Sequence, residues 1–330
     1  MKALVLFVLV STLSFAASAV TLNVVSTRSQ AKMQPVLDLF KKENPGVDFT
    51  WVKGANWDLI AELEKIGASG QADIYLTKDL TYMNEAAEKG LLAKIKSDVV
   101  RKNIPAFMIE PDMQWVGLAL RSRTIAYNPS LVSPEELGTY EDLADPAWQT
   151  RMCLRTSLSC YSVAFTASLI HHDGEAKTVD TLKGWVANTA IDPTIGDELL
   201  LQSIDAGICG AGVLNTHYFV QQLKANPKLN AKIFFANQKT TGAHMNGSGI
   251  AILKTSKNQE IATKFVEFMT RTDVQTMFAK QDMEYPGNAA AETPKELQAL
   301  GTFKRDETSW AEIGKYLKKA RELFIEADYQ

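Results

Sequence analysis

Short apolar stretches alternate with amphipathic segments along the first part of the chain. Residues 21–26, 47–52 and 72–77 are mostly apolar and bounded by polar or turn-forming residues, a pattern that favours strands. Each is followed by a segment whose apolar positions recur every three or four residues, the period of a helix with one buried face. The first of these helices is expected to end at residues 44–46, Asn-Pro-Gly. The alternation predicts a doubly wound α/β opening.

The pattern changes at residues 115–128, a long apolar stretch with two interior arginines that predicts a strand crossing between two lobes. A second α/β unit follows and includes a helix near residues 161–172. Residues 244–254 then return as a strand, two further helices follow, and residues 309–327 are predicted to form one amphipathic helix. We therefore predict an α/β protein of two lobes joined by crossover strands, with a ligand cleft between the lobes.

The first 19 residues have the pattern of a secretory signal peptide. Lys2 precedes an apolar stretch at residues 3–10, and small residues at positions 17–19 place the expected cleavage between Ala19 and Val20. The apolar stretch is too short for a permanent membrane span. Because no cysteine follows the cleavage position, a lipid anchor is not expected. We predict export to the periplasm as a soluble protein.

The predicted division assigns residues 20–120 and 239–290 to the first lobe and residues 121–238 and 291–330 to the second. The chain has 330 residues, which is long enough for two compact domains. Its formal net charge of −3 suggests neither a nucleic acid nor an anionic membrane surface as a partner. An exported, two-lobed α/β chain is most simply a solute receptor for a transporter.

The three cysteines are Cys153, Cys160 and Cys209. In an oxidising compartment two of them are expected to pair. Cys153 and Cys209 both lie in apolar, strand-like surroundings, which favours a bridge between them and leaves Cys160 over. The alternative is three buried thiols.

Motifs of common enzyme classes are missing from the sequence. It contains no HExxH, GxSxG, GxxxxGK[ST] or CxxC pattern. "NGSG" at residues 246–249 places a serine between glycines without the spacing of a nucleophile elbow, and predicts a turn. We do not expect catalysis.

Several stretches, in order and spacing, resemble one family over nearly the whole chain. They are "ADIYLTKD" (72–79), "GLALRSRTIAYNPSLVSPEEL" (117–137), "TYEDLADPAWQTRMCLR" (139–155), "SLIHHDGEAK" (168–177), "AGICGAGVLNTHYF" (206–219), "GAHMNGSGIAILK" (242–254) and "EYPGN" (284–288). The chain resembles the periplasmic iron-binding receptors of ABC transporters. The resemblance implies a type II-like periplasmic binding protein fold, iron as ligand, and an inner-membrane ABC permease as partner of a monomer.

The resemblance also implies a set of metal ligands. The adjacent tyrosines of the family correspond here to His217 and Tyr218, and a further tyrosine ligand corresponds to Tyr161. Some members add a histidine or tyrosine just after the first strand, where this chain has Ser29 and Gln30. The sequence therefore departs from the family at three ligand positions.

These substitutions matter because phenol and imidazole differ as ligands. A free tyrosine has a pKa near 10, and a trivalent cation displaces its proton, so phenolates suit ferric ion. Neutral imidazole suits ferrous iron, zinc, copper or nickel as readily. Two phenolates and one imidazole leave a ferric site with a charge of +1. Asp79, or an anion such as carbonate held by an arginine, would balance that charge.

The arginine candidates for holding an anion are Arg28, Arg121 and Arg123. We expect one of Arg121 and Arg123 to face the cleft and the other to face solvent, whereas Arg28 has the alternative of pairing with a surface carboxylate. Asp79 has the alternative of a helix N-cap.

The aromatic and thiol candidates have structural alternatives too. Tyr161 has the alternative of simple packing, and His217 and Tyr218 that of a solvent-facing helix start. Cys160 offers either a thiolate for a soft metal or a small buried side chain. The remaining histidines, His171, His172 and His244, are expected to be structural or exposed.

The function predicted from the sequence is a periplasmic receptor that closes two lobes over one iron ion, ferric or ferrous, and delivers it to an ABC importer. The alternative within binding proteins is a receptor for a small organic or anionic solute. The departures at Ser29, Gln30 and His217 keep that alternative open.

Overall fold

The computed structural model describes residues 20–54, 59–69 and 72–330. The predicted signal peptide lies outside these described residues. Within them, no helix is both long and apolar enough to cross a membrane. The strands of the described chain form one nine-stranded mixed sheet.

The strands run between the following residues: β1 Val20–Ser26, β2 Val47–Lys53, β3 Ile74–Thr77, β4 Trp115–Tyr127, β5 Met152–Cys153, β6 Ala211–Asn215, β7 Lys232–Phe234, β8 Met245–Ile252 and β9 Tyr285–Pro286. The α-helices run between these: α1 Gln30–Glu43, α2 Leu59–Ala68, α3 Leu80–Glu88, α4 Asp98–Asn103, α5 Cys160–Asp173, α6 Glu175–Ala187, α7 Asp197–Asp205, α8 Thr216–Ala225, α9 Gln259–Met269, α10 Thr272–Asp282, α11 Lys295–Gln298, α12 Trp310–Gly314 and α13 Leu317–Glu326. Short 3₁₀ turns occupy Ala106–Met108, Pro134–Glu136, Glu141–Ala144 and Pro146–Trp148.

The sheet order is β2-β1-β3-β8-β4-β6-β5, with β7 and β9 also pairing with β4. The strands β2, β1 and β3 are parallel, as the predicted strand–helix alternation requires. The strand β8 runs antiparallel to both β3 and β4. The second parallel pair, β5 and β6, joins the sheet through β6, which is antiparallel to β4. The mixed α/β architecture predicted from the sequence is confirmed.

The strand β4 connects the two halves of this sheet. Its first part pairs with β8 and its last part with β6 and β7, and every residue of Trp115–Tyr127 is buried. A strand covered on both faces reads as a nearly continuous apolar run, which is why the sequence pattern identified it.

The "NGSG" stretch lies inside β8, and the predicted turn is wrong. Its glycines permit close packing between strands and helix, since a Cβ on Gly247 would lie 2.5 Å from the carbonyl oxygen of Ala119. A Cβ on Gly249 would lie 2.7 Å from Leu80 Cδ2. Glycine in a strand interior often marks such an approach, and here that reason outweighs the turn propensity.

The C-terminal segment forms two helices, α12 and α13, where one was predicted. The side chain of Asn84 donates a 2.7 Å hydrogen bond from Nδ2 to the carbonyl oxygen of Trp310, the carbonyl that a continuing helix would pair with Gly314. A Cβ at Gly314 would meet that same Asn84 amide at 2.5 Å. A tertiary contact from α3 therefore interrupts a segment that is amphipathic throughout.

The predicted bridge between Cys153 and Cys209 is confirmed, with a Cα–Cα distance of 5.8 Å. It joins β5 to the turn that precedes β6. Cys160 is the free cysteine. The bridge and the parallel pairing of Cys153 with Gly212 fix the start of β6, the strand that leads directly into α8.

Candidate functional site

Two helix starts and the crossing strand β4 bring the predicted ligands together. The strand β6 ends at Asn215 and α8 begins at Thr216 without an intervening loop, so His217 and Tyr218 lie in the first helical turn. Their ring centroids are 4.0 Å apart. Tyr161 is the second residue of α5, and the Arg121 guanidinium lies 5.1 Å from its ring centroid. The ends of strands in open α/β sheets are common ligand positions.

The protonation states of these side chains follow from their burial. Burial, assisted by Arg121, lowers the pKa of His217 to about 3, so its imidazole is neutral at physiological pH. Burial raises the pKa of Tyr218 to about 12, and it raises that of Tyr161 well above the usual value, although Arg121 opposes both shifts. The cluster thus holds a ready imidazole ligand and two phenols that lose their protons only to a strong cation.

A buried ionic network adjoins this cluster. Arg28, at the end of β1, pairs with Asp282 and with Glu284, the latter at 2.6 Å. Glu284 also pairs with Arg121, so one carboxylate joins the two guanidinium groups. Although burial alone would raise it, the two arginines hold the pKa of Glu284 below its usual value. Lys32, half exposed, contacts Asp282 from the outside.

Sequence reasoning identified the arginines and missed their carboxylates. Asp282 ends α10, and Glu284 opens the "EYPGN" stretch that contributed to the family resemblance. That stretch was the available signal, because two buried arginines near one ligand site need anionic partners from elsewhere in the chain.

Not all donors of these arginines are used. Among the described residues, Arg121 Nε and Nη2 and Arg28 Nε have no hydrogen-bond partner, and neither does His217 Nδ1. Arg121 is fully buried beside Tyr161, so its unpaired donors are available to an oxygen within the cluster. A buried unpaired donor needs a physical reason, and a ligand oxygen would supply one.

Arg123 belongs to a different network. It pairs with Asp197 at 3.1 Å and donates to the Val213 carbonyl oxygen at 3.0 Å, while Arg155 approaches the other oxygen of Asp197. Both Arg121 and Arg123 are buried, so the expectation that one faces solvent is wrong. Residues two positions apart on a strand point to the same face, and β4 is covered on both of its faces.

The remaining candidates take structural positions. Both carboxylate oxygens of Asp79 are engaged: Oδ1 accepts from the Thr81 amide at 2.9 Å and Oδ2 from Asn246 Nδ2 at 2.9 Å. Asp79 therefore caps α3, the alternative that its position before a helix had left open. Burial, followed by the nearby Asp79, raises the pKa of the Cys160 thiol well above its usual value, which disfavours a thiolate ligand. Gln30 is exposed at the start of α1.

A metal site here depends on the tyrosines. Within residues 20–54, 59–69 and 72–330, no group of three or more His, Cys, Asp or Glu side chains is arranged to hold a metal ion. The cluster contributes one imidazole and, from Tyr161 and Tyr218, two phenol oxygens. Anionic oxygen ligands of this kind are hard donors, which favour a highly charged hard cation.

The fold and this buried site together define a two-lobed solute-binding protein. Residues 25–276 match the family described as bacterial extracellular solute-binding protein, and the chain belongs to that family.

Relatives within it carry iron-related names. The Synechocystis "Iron uptake protein A1" is 34% identical over 86% of this chain and 81% of its own length. The Serratia marcescens "Fe(3+)-binding periplasmic protein" is 28% identical over 88% of this chain and 85% of its own length. A Trichodesmium protein solved in complex with iron and citrate superposes with a TM-score of 0.89 at 31% identity, covering 94% of this chain and all of that one.

Proposed function

We propose that this protein binds one iron ion through Tyr161, His217 and Tyr218 and delivers it from the periplasm to an ABC importer. The observation that carries the proposal is the clustering of a buried phenol, Tyr161, a partly buried phenol, Tyr218, and a buried neutral imidazole, His217, near Arg121. Two phenolates favour ferric over ferrous ion. The iron-related names of the Synechocystis and Serratia relatives support the same ligand.

Charge balance at this site supports an additional oxygen ligand. Arg28 and Arg121 have Asp282 and Glu284 as counter-charges and Lys32 adds a further positive charge at the outer edge, so this network supplies no negative charge to offset a ferric ion held by two phenolates. The remaining charge of +1 calls for a small anion. We propose carbonate or a small carboxylate for this position, held by the unpaired donors of Arg121. The Trichodesmium protein, solved with iron and citrate, is a precedent for a carboxylate beside iron.

We propose the same division into lobes that the sequence predicts. The first lobe comprises residues 20–120 and 239–290, and the second comprises residues 121–238 and 291–330. Under it, Arg28 comes from the first lobe and Tyr161, His217 and Tyr218 from the second, so closure of the lobes would assemble the site. The protein would act as a monomeric receptor without catalytic activity. Uptake of labelled iron by spheroplasts supplied with the purified protein tests delivery.

The ligand set is tested with Tyr218→Phe and His217→Ala. Reconstitution of the wild type with ferric ion should produce a visible phenolate-to-iron charge-transfer band. Tyr218→Phe should weaken this band and cost more ferric affinity than His217→Ala, because it removes an anionic oxygen. For ferrous ion under anaerobic conditions the order should reverse or level out.

Tyr316→Phe is the matched control, since Tyr316 lies in the turn between α12 and α13, away from the cluster. It should leave the band and both affinities unchanged. Iron uptake without any charge-transfer band would contradict phenolate coordination, and equal affinities in all three variants would place the iron elsewhere.

Proton release on metal binding tests the protonation states. Loading ferric ion, supplied as its nitrilotriacetate complex, should release one proton fewer in Tyr218→Phe than in the wild type, because each coordinating phenol loses a proton while the freed nitrilotriacetate takes up the same number in both proteins. His217→Ala should leave the count unchanged between pH 6 and 8, because a pKa near 3 leaves no proton on the imidazole there. A drop in the count for His217→Ala would show that His217 is protonated before iron binds.

The anion is tested by repeating the titration with and without carbonate or citrate. We expect an anion-dependent gain in ferric affinity that disappears in Arg121→Gln. An affinity that ignores both anions would rule out the anion and leave the metal ligands unaffected.

A further inference from the structure

A cavity of about 280 Å³ lies apart from the cluster of Tyr161, His217 and Tyr218. Its walls are residues 139–142, which lead into the 3₁₀ turn Glu141–Ala144, one face of α5 between Phe165 and Asp173, the segment at residues 237–244, and Asp306. None of the proposed iron ligands lines it. Four acidic side chains and the aromatic rings of Tyr140 and Phe165 are among those around it, and so is a buried histidine, His244.

The imidazole of His244 borders this cavity without a hydrogen bond. It is 2% exposed, and neither Nδ1 nor Nε2 has a partner among the described residues. Aromatic rings hold it in place, with Phe165 at 5.3 Å and Trp310 at 5.7 Å between centroids. Burial lowers its pKa to about 3, so it is neutral, with one nitrogen to accept and one to donate. Buried polar groups are nearly always paired, so this ring points to a ligand.

Two carboxyl groups of the wall, those of Glu141 and Asp173, lie close together. Burial, followed by the neighbouring carboxyl of Asp173, raises the pKa of Glu141. Lys177 pairs with Asp173 at 2.7 Å but is more than half exposed, and His172 is occupied by Asp306 at 2.8 Å. Of the four carboxyl groups that line the cavity, Glu141 and Asp142 therefore have no cationic partner among the described residues, and a positive ligand would provide one.

The geometry favours an organic cation over a metal ion. Within the described parts of the chain no three His, Cys, Asp or Glu side chains are arranged for a metal, although several border this cavity. Tyr140 and Phe165, with ring centroids 4.7 Å apart, add aromatic surface that suits an alkylammonium group. We propose that this cavity is a second ligand site, for a small organic ammonium compound held by Glu141 and Asp173 and hydrogen-bonded to His244.

The cavity adjoins the strands that connect the two halves of the sheet. The Tyr140 hydroxyl donates to the Arg123 carbonyl oxygen at 2.5 Å and accepts from the His244 amide at 3.1 Å. The ligand would thus contact residues tied to both β4 and the start of β8. Its binding should raise the melting temperature of the iron-free protein, independently of the proposed iron function.

The test uses iron-free full-length protein and imidazole NMR, which is practicable because the chain has four histidines. The probes are ethanolamine and 1,4-diaminobutane, with 1,4-butanediol as the neutral match. We expect saturable shifts of the His244 and His172 signals with at least one amine, no shift of His217, and no response to the diol. Glu141→Gln should weaken binding at least tenfold, and His244→Gln should weaken it with the fold intact by melting temperature.

Glu307→Gln is the control, an exposed carboxylate next to Asp306 that does not line the cavity. It should bind the amines as the wild type does. Three outcomes would overturn the proposal: no saturable shift with either amine, equal response to the diol, or unchanged amine affinity in Glu141→Gln. Binding of Ca²⁺ or Mn²⁺ at His244 without amine binding would overturn the organic class.

Discussion

Arg121 and Arg123 lie two positions apart on β4 and are both buried, yet their partners differ. Arg123 has Asp197 and a backbone carbonyl as partners, and Asp197 in turn accepts from the Asn215 amide at 2.9 Å. Arg121 shares a single carboxylate, Glu284, with Arg28 and keeps two nitrogens unpaired. Arg123 leaves one nitrogen, Nε, without a partner, whereas Arg121, beside Tyr161, leaves two, and we expect the less paired guanidinium to have the greater part in ligand binding. Both residues are arginines in β4, and they differ in how many hydrogen-bond partners each guanidinium has.

The largest expected effect on stability comes from replacing Arg123. Arg123→Gln should lower the free energy of unfolding by about 3–5 kcal/mol, because Asp197 stays buried without its main counter-charge. Arg121→Gln should cost less, since Glu284 keeps Arg28, and it should act mainly on ferric affinity. Urea unfolding of both variants checks this order. Equal losses of stability would remove the distinction between the two arginines.

Removal of the disulfide bridge should have the next largest effect on stability. Replacing Cys153 and Cys209 by serine should lower stability by about 2–4 kcal/mol, because their bond closes a loop with a sequence separation of 56. Cys160→Ser is the matched control and should be nearly neutral. Differential scanning calorimetry measures all variants. Free thiols at both positions in the exported protein would contradict the bridge itself.

The third largest effect is expected from crowding the backbone beside Arg121. Gly247 is the β8 partner of Leu120, directly beside Arg121, and a Cβ there would press on the Ala119 carbonyl oxygen. Gly247→Ala should therefore cost about 1–3 kcal/mol and weaken ferric binding by shifting Arg121. Gly301→Ala is a control for glycine replacement, although its positive φ of 83° adds backbone strain without any clash. A stable Gly247→Ala protein with normal iron affinity would show that β4 and β8 can separate locally without harm.

The smallest effect concerns a pair that is only partly buried, His172 and Asp306. The hydrogen bond to Asp306 raises the pKa of His172 above 6.5 in the folded state. The pair therefore stabilises the protein fully below about pH 6.5, and this contribution is lost as the pH rises through the folded-state value. His172→Gln should lower the melting temperature slightly at pH 5, by less than about 1 kcal/mol in stability, and hardly at all at pH 9. A difference that stays constant with pH would mean that the imidazole contributes by packing alone.

Much of the architecture could be predicted because it depends on local periodicity. The strand β4, the helix α5 and the succession of the first three strands each show their burial pattern in the residues themselves. The pairing of Cys153 with Cys209 followed from apolar context. The positions of Tyr161, His217 and Tyr218 came from the family resemblance, and the structure adds that they lie close together, with Tyr161 and His217 buried and Tyr218 partly buried.

Local pattern failed wherever a distant residue decided the outcome. Asn84 interrupts the last helix by binding a carbonyl 226 positions away in the sequence. The glycines of "NGSG" read as a turn because only the tertiary structure shows that β4 and α3 lie against them. The strand β4, which carries Arg121 and Arg123, is buried on both of its faces. The two alternating charges in the sequence could not reveal this.

The sequence by itself determined the class of fold and the order of its elements, and it predicted the chemical types at the candidate ligand positions, since these depend on propensity and on side chains near one another in the chain. Only the tertiary structure decided which charges meet. Glu284 lies 256 positions from Arg28 and 163 from Arg121, yet it pairs with both. Electrostatic partnership in a buried site depends on distance in space and on exclusion of water, and neither is written in the local sequence.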